Sequence, residues 1–351
     1  MKSRILLVLV AVFLVNTAYV AAFSTPSLFY VGNTLLHLLL GLGLTAFAIW
    51  KVRNLGTWAL ALSAIAGLVL VRLGNTQDHR AILMIHFLLG MIALGGVVGW
   101  ARQTGRRPIY QTVLAGMAAA LVLYGGAALY HRVRPNRADR IRNPLLVPTS
   151  MQEEGAGPKS PFWPSSANTN VDHTIPSNFF MDSKLCAECH KDIYDQWNSS
   201  AHHFASFNNQ FYRKSIEYMQ DIAGTKGSKW CAGCHDHAVF FNGRFDKPIK
   251  DQIDTPEAQN GLGCLSCHAI TSVDSSMGNA GFVIEYPPLH NLAASNNPWM
   301  RKLDRFITYL NPKPHKATML KPFMRADAAE YCSTCHKVHL DVPVNNYRWV
   351  R

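Results

Sequence analysis

Five long apolar segments fill the first third of this 351-residue chain, and they limit its fold more than any other feature. They span residues 5–23, 28–50, 55–73, 81–100 and 112–130. At about 1.5 Å of rise per residue, a helix of this length crosses a hydrocarbon layer of roughly 30 Å. The sequence therefore predicts a transmembrane anchor of five helices over residues 1–130. The first helix is also signal-like, because "MKSR" precedes it and "AYVAAF" supplies small residues near its end.

Charges in the loops predict the orientation of this anchor. Lys51 follows the second segment and Arg102, Arg106 and Arg107 follow the fourth, whereas the loop "FSTPS" is uncharged. Basic loops stay in the cytoplasm, so everything after residue 131 is expected outside it. We expect a bacterial inner (cytoplasmic) membrane protein with its C-terminal domain on the periplasmic or extracellular side. The net charge of +12 fits this topology, and no nucleic-acid partner is expected.

Residues 131–180 contain seven prolines, many Ser and Asn, and no apolar periodicity. This composition predicts an extended Pro-rich linker. Residues 181–351 then form a second domain, and because the chain ends in "NNYRWVR" without a closing element, we expect this domain to be truncated.

All eight cysteines lie in the second domain, as four pairs separated by two residues and each followed directly by a histidine. The pairs are Cys186/Cys189, Cys231/Cys234, Cys264/Cys267 and Cys332/Cys335, followed by His190, His235, His268 and His336. C-x-x-C-H is the attachment signature of c-type haem, in which both thiols form thioethers and the histidine becomes an axial iron ligand. Zinc sites and disulfides are the alternatives, but neither requires the histidine. The repeat predicts four covalently bound haem c groups.

Four haems leave little room for an ordinary apolar core. We therefore expect a mainly α protein, with a haem-packed domain of short helices and loops and little sheet after the five-helix bundle. One helix is predicted within "KLCAECHKDIYDQWNSSAHHF", and another in "NPWMRKLDRFITYL", which begins at Asn297 and Pro298.

Each iron also needs a sixth ligand or an open position. Histidines outnumber the need, so bis-histidine ligation is favoured over methionine. The expected opposing ligands are His202, His290, His315 and His339, with His203 as the alternative to His202. Such histidines often ligate a different haem, because one helix cannot reach both faces of its own porphyrin.

The stretch "CAECHKDIYDQWNSSAHHFAS" resembles the opening motif of the cytochrome c-554 domain, found in multihaem cytochromes related to nitrifier electron carriers and hydroxylamine oxidoreductase. "WCAGCHDH", "GCLSCHAI" and "YCSTCHKVHLDVPVNNYRW" also resemble membrane-anchored multihaem cytochromes of that group. The resemblance covers residues 180–351. It implies that each motif binds one haem and that His202 or His203 is an opposing ligand. The five-helix anchor departs from it, since the carrier of that name is soluble.

Histidines also recur inside the anchor. "HLLLG" at 37–41 returns as "HFLLG" at 86–90, and "GNTQDHR" at 74–80 returns as "GAALYHR" at 126–132, which predicts two helical hairpins of one design. An imidazole is costly to bury in lipid, so His37 and His86 are predicted to ligate a b-type haem or to line a quinol site. Gly41 and Gly90 would let a flat ring approach. His79 and His131 are the other repeat pair, and packing or interfacial roles remain the alternative for all four.

Three functional interpretations follow. The first is an electron carrier between a membrane donor, such as quinol, and a periplasmic or extracellular acceptor protein, with no catalytic residues. The second is an oxidoreductase of nitrogen compounds such as nitrite or hydroxylamine, which needs one iron with an open position. A scaffold or subunit of a larger redox complex is the third class.

Overall fold

The computed structural model describes residues 2–337 except 53, 135, 137, 139 and 147. Its fold is mainly helical. The first five helices are α1 (Lys2–Ala22), α2 (Leu28–Lys51), α3 (Leu55–Leu73), α4 (Arg80–Gln103) and α5 (Arg107–Val133). All five are long and apolar enough to cross a membrane, as predicted.

Local sequence signals set the ends of these helices. The Ser27 hydroxyl accepts a hydrogen bond from the Tyr30 amide at the start of α2, and Asn54 caps α3 in the same way through the Thr57 amide. Pro108 lies in the first turn of α5, where its missing N–H costs nothing.

Small residues let these five helices pack closely. A methyl group on Gly96 of α4 would overlap the backbone of Gly56 on α3, so these two backbones are in direct contact. Gly116 of α5 makes room for the side chain of Leu14 on α1, which a methyl group at this position would overlap. Close backbone approach at glycines is a common way for helices to associate in lipid, where no hydrophobic effect drives them together. The two pairs α3/α4 and α1/α5 are the tightest in the bundle, and α2 packs between α1 and α3.

The chain forms two compact units, and their boundaries differ from the predicted domains. Unit 1 comprises Met1–Pro135 and Ser295–Ala317, and unit 2 comprises Asn136–Ala294 and Thr318–Arg351. A segment expected in the haem domain thus belongs to unit 1, with the five long apolar helices. That segment contains α13 (Pro298–Leu310) and the start of α14 (Lys313–Met319).

Helix α13 begins where the sequence predicted, because Asn297 accepts a hydrogen bond from the Trp299 amide and Pro298 occupies the first turn. The segment docks on one end of the bundle. Asn311 donates to the Tyr30 hydroxyl at 2.9 Å, and Lys313 Nζ donates to the carbonyl oxygens of Val20 and Ala21 near the end of α1.

Unit 2 is built from short helices and a small sheet. Its helices are α6 (Ser183–Ala187), α7 (Lys191–Asn198), α8 (Gln210–Ala223), α9 (Thr225–His235), α10 (His237–Phe240), α11 (Cys264–His268), α12 (His290–Ala293), α15 (Phe323–Ala326) and α16 (Ala328–His336). Its strands are β1 (Asn168–Thr169), β2 (Ile270–Val273) and β3 (Phe282–Ile284), in the order β1-β3-β2. Strand β3 pairs parallel with β1 and antiparallel with β2.

An aromatic core fills this unit, in contrast to the expectation that haem groups would replace one. Its fully or nearly fully buried phenylalanines are Phe162, Phe179, Phe180, Phe207, Phe240, Phe241, Phe245, Phe282 and Phe323. Phenylalanine buries a large apolar area per residue, so a few widely spaced rings can build a core without a periodic pattern.

Two further expectations need correction. Residues 136–180 of the predicted linker belong to unit 2, because Phe162, Phe179 and Phe180 are buried and β1 pairs with β3. Their prolines and polar residues make turns, and the isolated aromatic residues gave no period to detect. The helix predicted around "CAECHKDIYDQW" is two helices, α6 and α7, with a break at 188–190.

Candidate haem-attachment sites

The four C-x-x-C-H motifs share one local structure, a helical turn. The histidine is the last residue of α9, α11 and α16 in three of them. In the first motif, the His190 amide donates to the Cys186 carbonyl oxygen at 2.8 Å, which closes the same turn between α6 and α7. Residues three and four apart lie on one face of a helix, so the two thiols and the histidine of each motif share a side.

Thiols of different motifs approach one another. Cys186 of the first motif is hydrogen-bonded to Cys264 of the third, and Cys234 of the second to Cys335 of the fourth. All eight cysteines are reduced thiols in this structure. Burial raises the pKa of Cys231 to about 11, so this thiol remains protonated at neutral pH. The contacts between thiols place the first motif beside the third and the second beside the fourth.

The attachment thiols differ in exposure, which the prediction of a haem-packed core did not anticipate. Three of the eight are exposed, namely Cys189, Cys267 and Cys332, and the other five are partly buried. Cys231, Cys234 and Cys335 lie on α9 and α16 and pack against the aromatic core. Cys189 lies instead in the turn after the short helix α6, so no helix holds it against that core. The role of Cys189 in binding haem, like that of the other seven thiols, stays a prediction.

Two motif histidines are oriented by backbone carbonyls. His235 Nδ1 lies 2.7 Å from the Ala205 carbonyl oxygen, and His268 Nδ1 lies 2.5 Å from that of Met319. A carbonyl oxygen only accepts, so each Nδ1 carries the proton and each Nε2 keeps its lone pair. Metal-binding histidines typically show this arrangement. Together with the reduced thiols, this donor set fits a c-type haem.

A buried polar cluster supports the second motif. The Tyr212 ring stacks on His235, with ring centroids 4.5 Å apart and planes at 18°. The Tyr212 hydroxyl and the Ser206 hydroxyl both donate to the carboxyl group of Asp236, which is 1% exposed. Burial raises the pKa of Asp236 to about 7. The sequence analysis missed Tyr212, Ser206 and Asp236. The one available signal was the position of Asp236 directly after the second motif.

The candidate opposing ligand His202 lies beside the fourth motif. Its ring centroid is 5.9 Å from that of His336, with the planes at 76°. The neighbouring His203 directs its Nδ1 to the Asn198 carbonyl oxygen at 2.8 Å and packs against the Trp197 ring. The stretch after the first motif thus contributes to the surroundings of other motifs, since Ala205 contacts His235 of the second. Which of the two histidines binds iron stays a prediction.

The other candidate ligands are placed differently. His290 is buried, and its Nε2 lies 2.8 Å from the Asp182 carboxylate. His315 lies on α14 in unit 1, and its side chain is exposed. His339 lies outside the described residues. His237 is 2% exposed among the rings of Phe180, Phe241 and Phe282, and burial lowers its pKa to about 4.

A comparison with protein families matches residues 185–269 to the family described as "Cytochrome c554 and c-prime". This region is similar to a c-type cytochrome domain. The match covers about a quarter of the chain and includes the first three motifs, and covalently bound haem c is the cofactor of such domains. No curated protein and no solved structure matches the chain. Among the residues that the structure describes, no group of three or more His, Cys, Asp and Glu is arranged to hold a metal ion.

Apart from this cytochrome-like region, unit 1 brings two of the predicted membrane histidines together. The rings of His37 on α2 and His86 on α4 have centroids 6.2 Å apart. The described contacts of His79 are local, with Nδ1 near the Gly74 carbonyl oxygen and the Thr76 hydroxyl, and His131 contacts the neighbouring Tyr130 ring. The predicted role of the glycines is not seen: the open side of Gly41 is filled by Phe13, and that of Gly90 by Ser63.

Proposed function

We propose that this chain is a membrane-bound tetrahaem c-type cytochrome that carries electrons between a membrane donor, such as a quinol, and an acceptor outside the cytoplasm. The observation that carries the proposal is the fourfold helical turn that presents two reduced thiols and an adjacent imidazole. When bound, the haems would accept and release single electrons.

The residues around the motifs support a role in electron transfer. Hydrogen bonds from His235 and His268 to backbone carbonyls would fix the orientation of both rings and raise their basicity as ligands. The contacts of Cys186 with Cys264 and of Cys234 with Cys335 favour closely spaced haems. A carrier needs this spacing and no substrate pocket.

The location outside the cytoplasm is supported by unit 1. Residues 311–313 contact the end of α1 and the start of α2, the end opposite Lys51 and Arg102. Because basic loops face the cytoplasm, this segment is expected on the outer side. The chain enters unit 2 on both sides of it.

Quinol-driven reduction of the purified chain tests this function. The protein would be produced with c-haem maturation machinery, purified in detergent and mixed anaerobically with duroquinol. We expect the c-haem absorbance to change to the reduced form, and a one-electron oxidant to reverse it. The proposal would be contradicted if duroquinol does not reduce the haems and the reduced protein binds one carbon monoxide per chain. That result would favour the nitrogen-compound oxidoreductase.

A further inference from the structure

His37 and His86 come from two helices whose main packing partners in the bundle are other helices. Helix α2 packs against α1 and α3, and α4 packs against α3 and α5. The two imidazoles nevertheless meet, with ring centroids 6.2 Å apart and planes at 75°. Helices α2 and α4 are also the least buried of the five, with 6% of the residues in their most apolar stretch buried, compared with 17–33% in the others. The pair therefore lies between two helices that bury only a small share of their apolar stretches within the protein.

The hydrogen bonds of Thr17 define the protonation of His37. The Thr17 hydroxyl donates its single proton to the Phe13 carbonyl oxygen at 2.7 Å, and its oxygen lies 3.1 Å from His37 Nδ1. The hydroxyl can therefore only accept from the ring, and His37 Nδ1 carries the proton. The Phe13 ring stacks on His37 at 5.1 Å and holds its plane. The lone pair of His37 is left on Nε2.

Ser63 fixes His86 in the same tautomer. His86 Nδ1 lies 2.8 Å from the Ser63 carbonyl oxygen, which can only accept. The Ser63 hydroxyl donates to the His86 carbonyl oxygen and so ties the two helices together. Gly67 on α3 makes room for the ring, since a Cβ atom there would lie 3.2 Å from His86 Cε1. His86 therefore also keeps its lone pair on Nε2.

Neither Nε2 atom has a hydrogen-bond partner among the residues the structure describes. Both lie within spans expected to cross hydrocarbon, where an unsatisfied polar atom is costly. Two imidazoles held in this way, each with an Nε2 lone pair that lacks a partner among the described residues, favour the binding of an electron-pair acceptor.

The geometry selects among the acceptors. A bare metal ion such as zinc needs about four protein ligands or waters, and no third His, Cys, Asp or Glu joins this pair within the described chain. One quinol cannot present a hydroxyl to both rings at this separation, because its two hydroxyls lie on opposite edges of its ring. An iron porphyrin needs two axial ligands only. A metal–nitrogen bond of about 2 Å plus roughly 1 Å to each ring centre puts two axial imidazoles about 6 Å apart.

We propose that His37 and His86 are the two axial ligands of one non-covalently bound, b-type haem inside the membrane unit. Phe13, Thr17, Ser63 and Gly67 position the two rings. The site adds a second kind of haem to the proposed carrier, but it requires neither the four c-haems nor a quinol donor.

Extraction of the haem tests the site. Cold acid–acetone releases non-covalent haem and leaves thioether-bound haem on the protein. From the full purified chain, we expect one extractable haem per chain, identified as protohaem by its pyridine haemochrome spectrum. His37→Ala and His86→Ala should each abolish it without changing the intact mass of the c-haem-loaded chain. Free imidazole should restore a low-spin signal to His37→Ala, which a purely structural role of His37 would not allow.

Thr17 provides a matched pair of variants for the positioning role. Thr17→Val removes the acceptor for His37 Nδ1 and should shift the midpoint potential of the extractable haem, whereas Thr17→Ser should preserve it. Thr45→Ala is the control on α2, since the Thr45 hydroxyl bonds only to the Gly41 carbonyl oxygen in its own helix. Equal midpoint potentials of the extractable haem in Thr17→Val and wild type would show that Thr17 does not position His37.

Two results would overturn the b-haem site. One is a chain fully loaded with c-haem that yields no protohaem, and the other is protohaem retained in both His37→Ala and His86→Ala. Neither result contradicts the proposed carrier function. Failure of quinol-driven reduction together with extractable protohaem would instead reject the quinol donor and keep the site.

Discussion

At the scale of single residues, one hydrogen bond recurs: a ring Nδ1 donates to a backbone carbonyl oxygen. It occurs at His235, His268 and His203 in unit 2 and at His86 in unit 1. The motif spacing identified the first two histidines. It could not identify the carbonyls of Ala205 or Met319, because nothing in the sequence marks a backbone oxygen 30 or 51 residues away.

Replacing His202 tests the opposing-ligand assignment. Because its ring lies 5.9 Å from that of His336, we expect His202→Ala to convert one c-haem from low-spin to high-spin. Optical and electron paramagnetic resonance spectra would measure the change. Adding Cys332→Ala and Cys335→Ala should remove the new high-spin signal, since the affected haem would then be absent. If His202→Ala leaves the low-spin spectrum unchanged and His203→Ala gives a high-spin signal, His203 and not His202 is the opposing ligand.

At the scale of elements, the contact between α3 and α4 gives a matched pair of variants. Gly96→Ala places a methyl group against the Gly56 backbone, whereas Gly95→Ala meets nothing within 4 Å. Both changes raise helix propensity equally, so only the overlap differs. We expect Gly96→Ala to destabilise the bundle by about 1–3 kcal/mol and Gly95→Ala to leave it unchanged. Thermal unfolding in detergent compares them, and equal transition temperatures would contradict the close packing.

The docking of α13 on the five-helix bundle depends on Asn311. Its side-chain amide is buried and donates to the hydroxyls of Tyr30 and Thr34. Asn311→Ala removes both donated hydrogen bonds, each worth about 0.5–1.5 kcal/mol, so hydrogen exchange in Pro298–Leu310 should become faster. The exposed Asn296→Ala is the control. Unchanged exchange in Asn311→Ala would show that other contacts hold this helix.

Elements could be predicted where the signal is local. The five long apolar helices follow from runs of about 20 apolar residues, and α13 follows from its Asn-Pro start and its periodicity. The attachment of α13 to the bundle could not be predicted, because Asn311 and Tyr30 are 281 residues apart and form a single hydrogen bond. The break between α6 and α7, which leaves Cys189 exposed, was missed for a different reason: apolar residues at a spacing of four continue through the turn at His190.

At the scale of the whole molecule, the sequence predicted a membrane part and a cysteine-rich part, and the structure shows two compact units. The boundary was misplaced because the chain returns to unit 1 at 295–317, after three of the four motifs. The four motifs were fully predictable, since the attachment chemistry fixes both their residues and their spacing. The aromatic core of unit 2 was not, because its phenylalanines follow no period.

The intact mass of the full chain, produced with c-haem maturation machinery and denatured before analysis, tests the tetrahaem proposal most directly. Thioether-bound haem survives denaturation, so four motifs predict a mass increased by four haems. Cys332→Ala with Cys335→Ala should reduce the increase to three, although this motif lies outside the region similar to known cytochromes. A fully matured wild-type chain that carries fewer than four haems, or zinc in place of haem, would contradict a tetrahaem cytochrome.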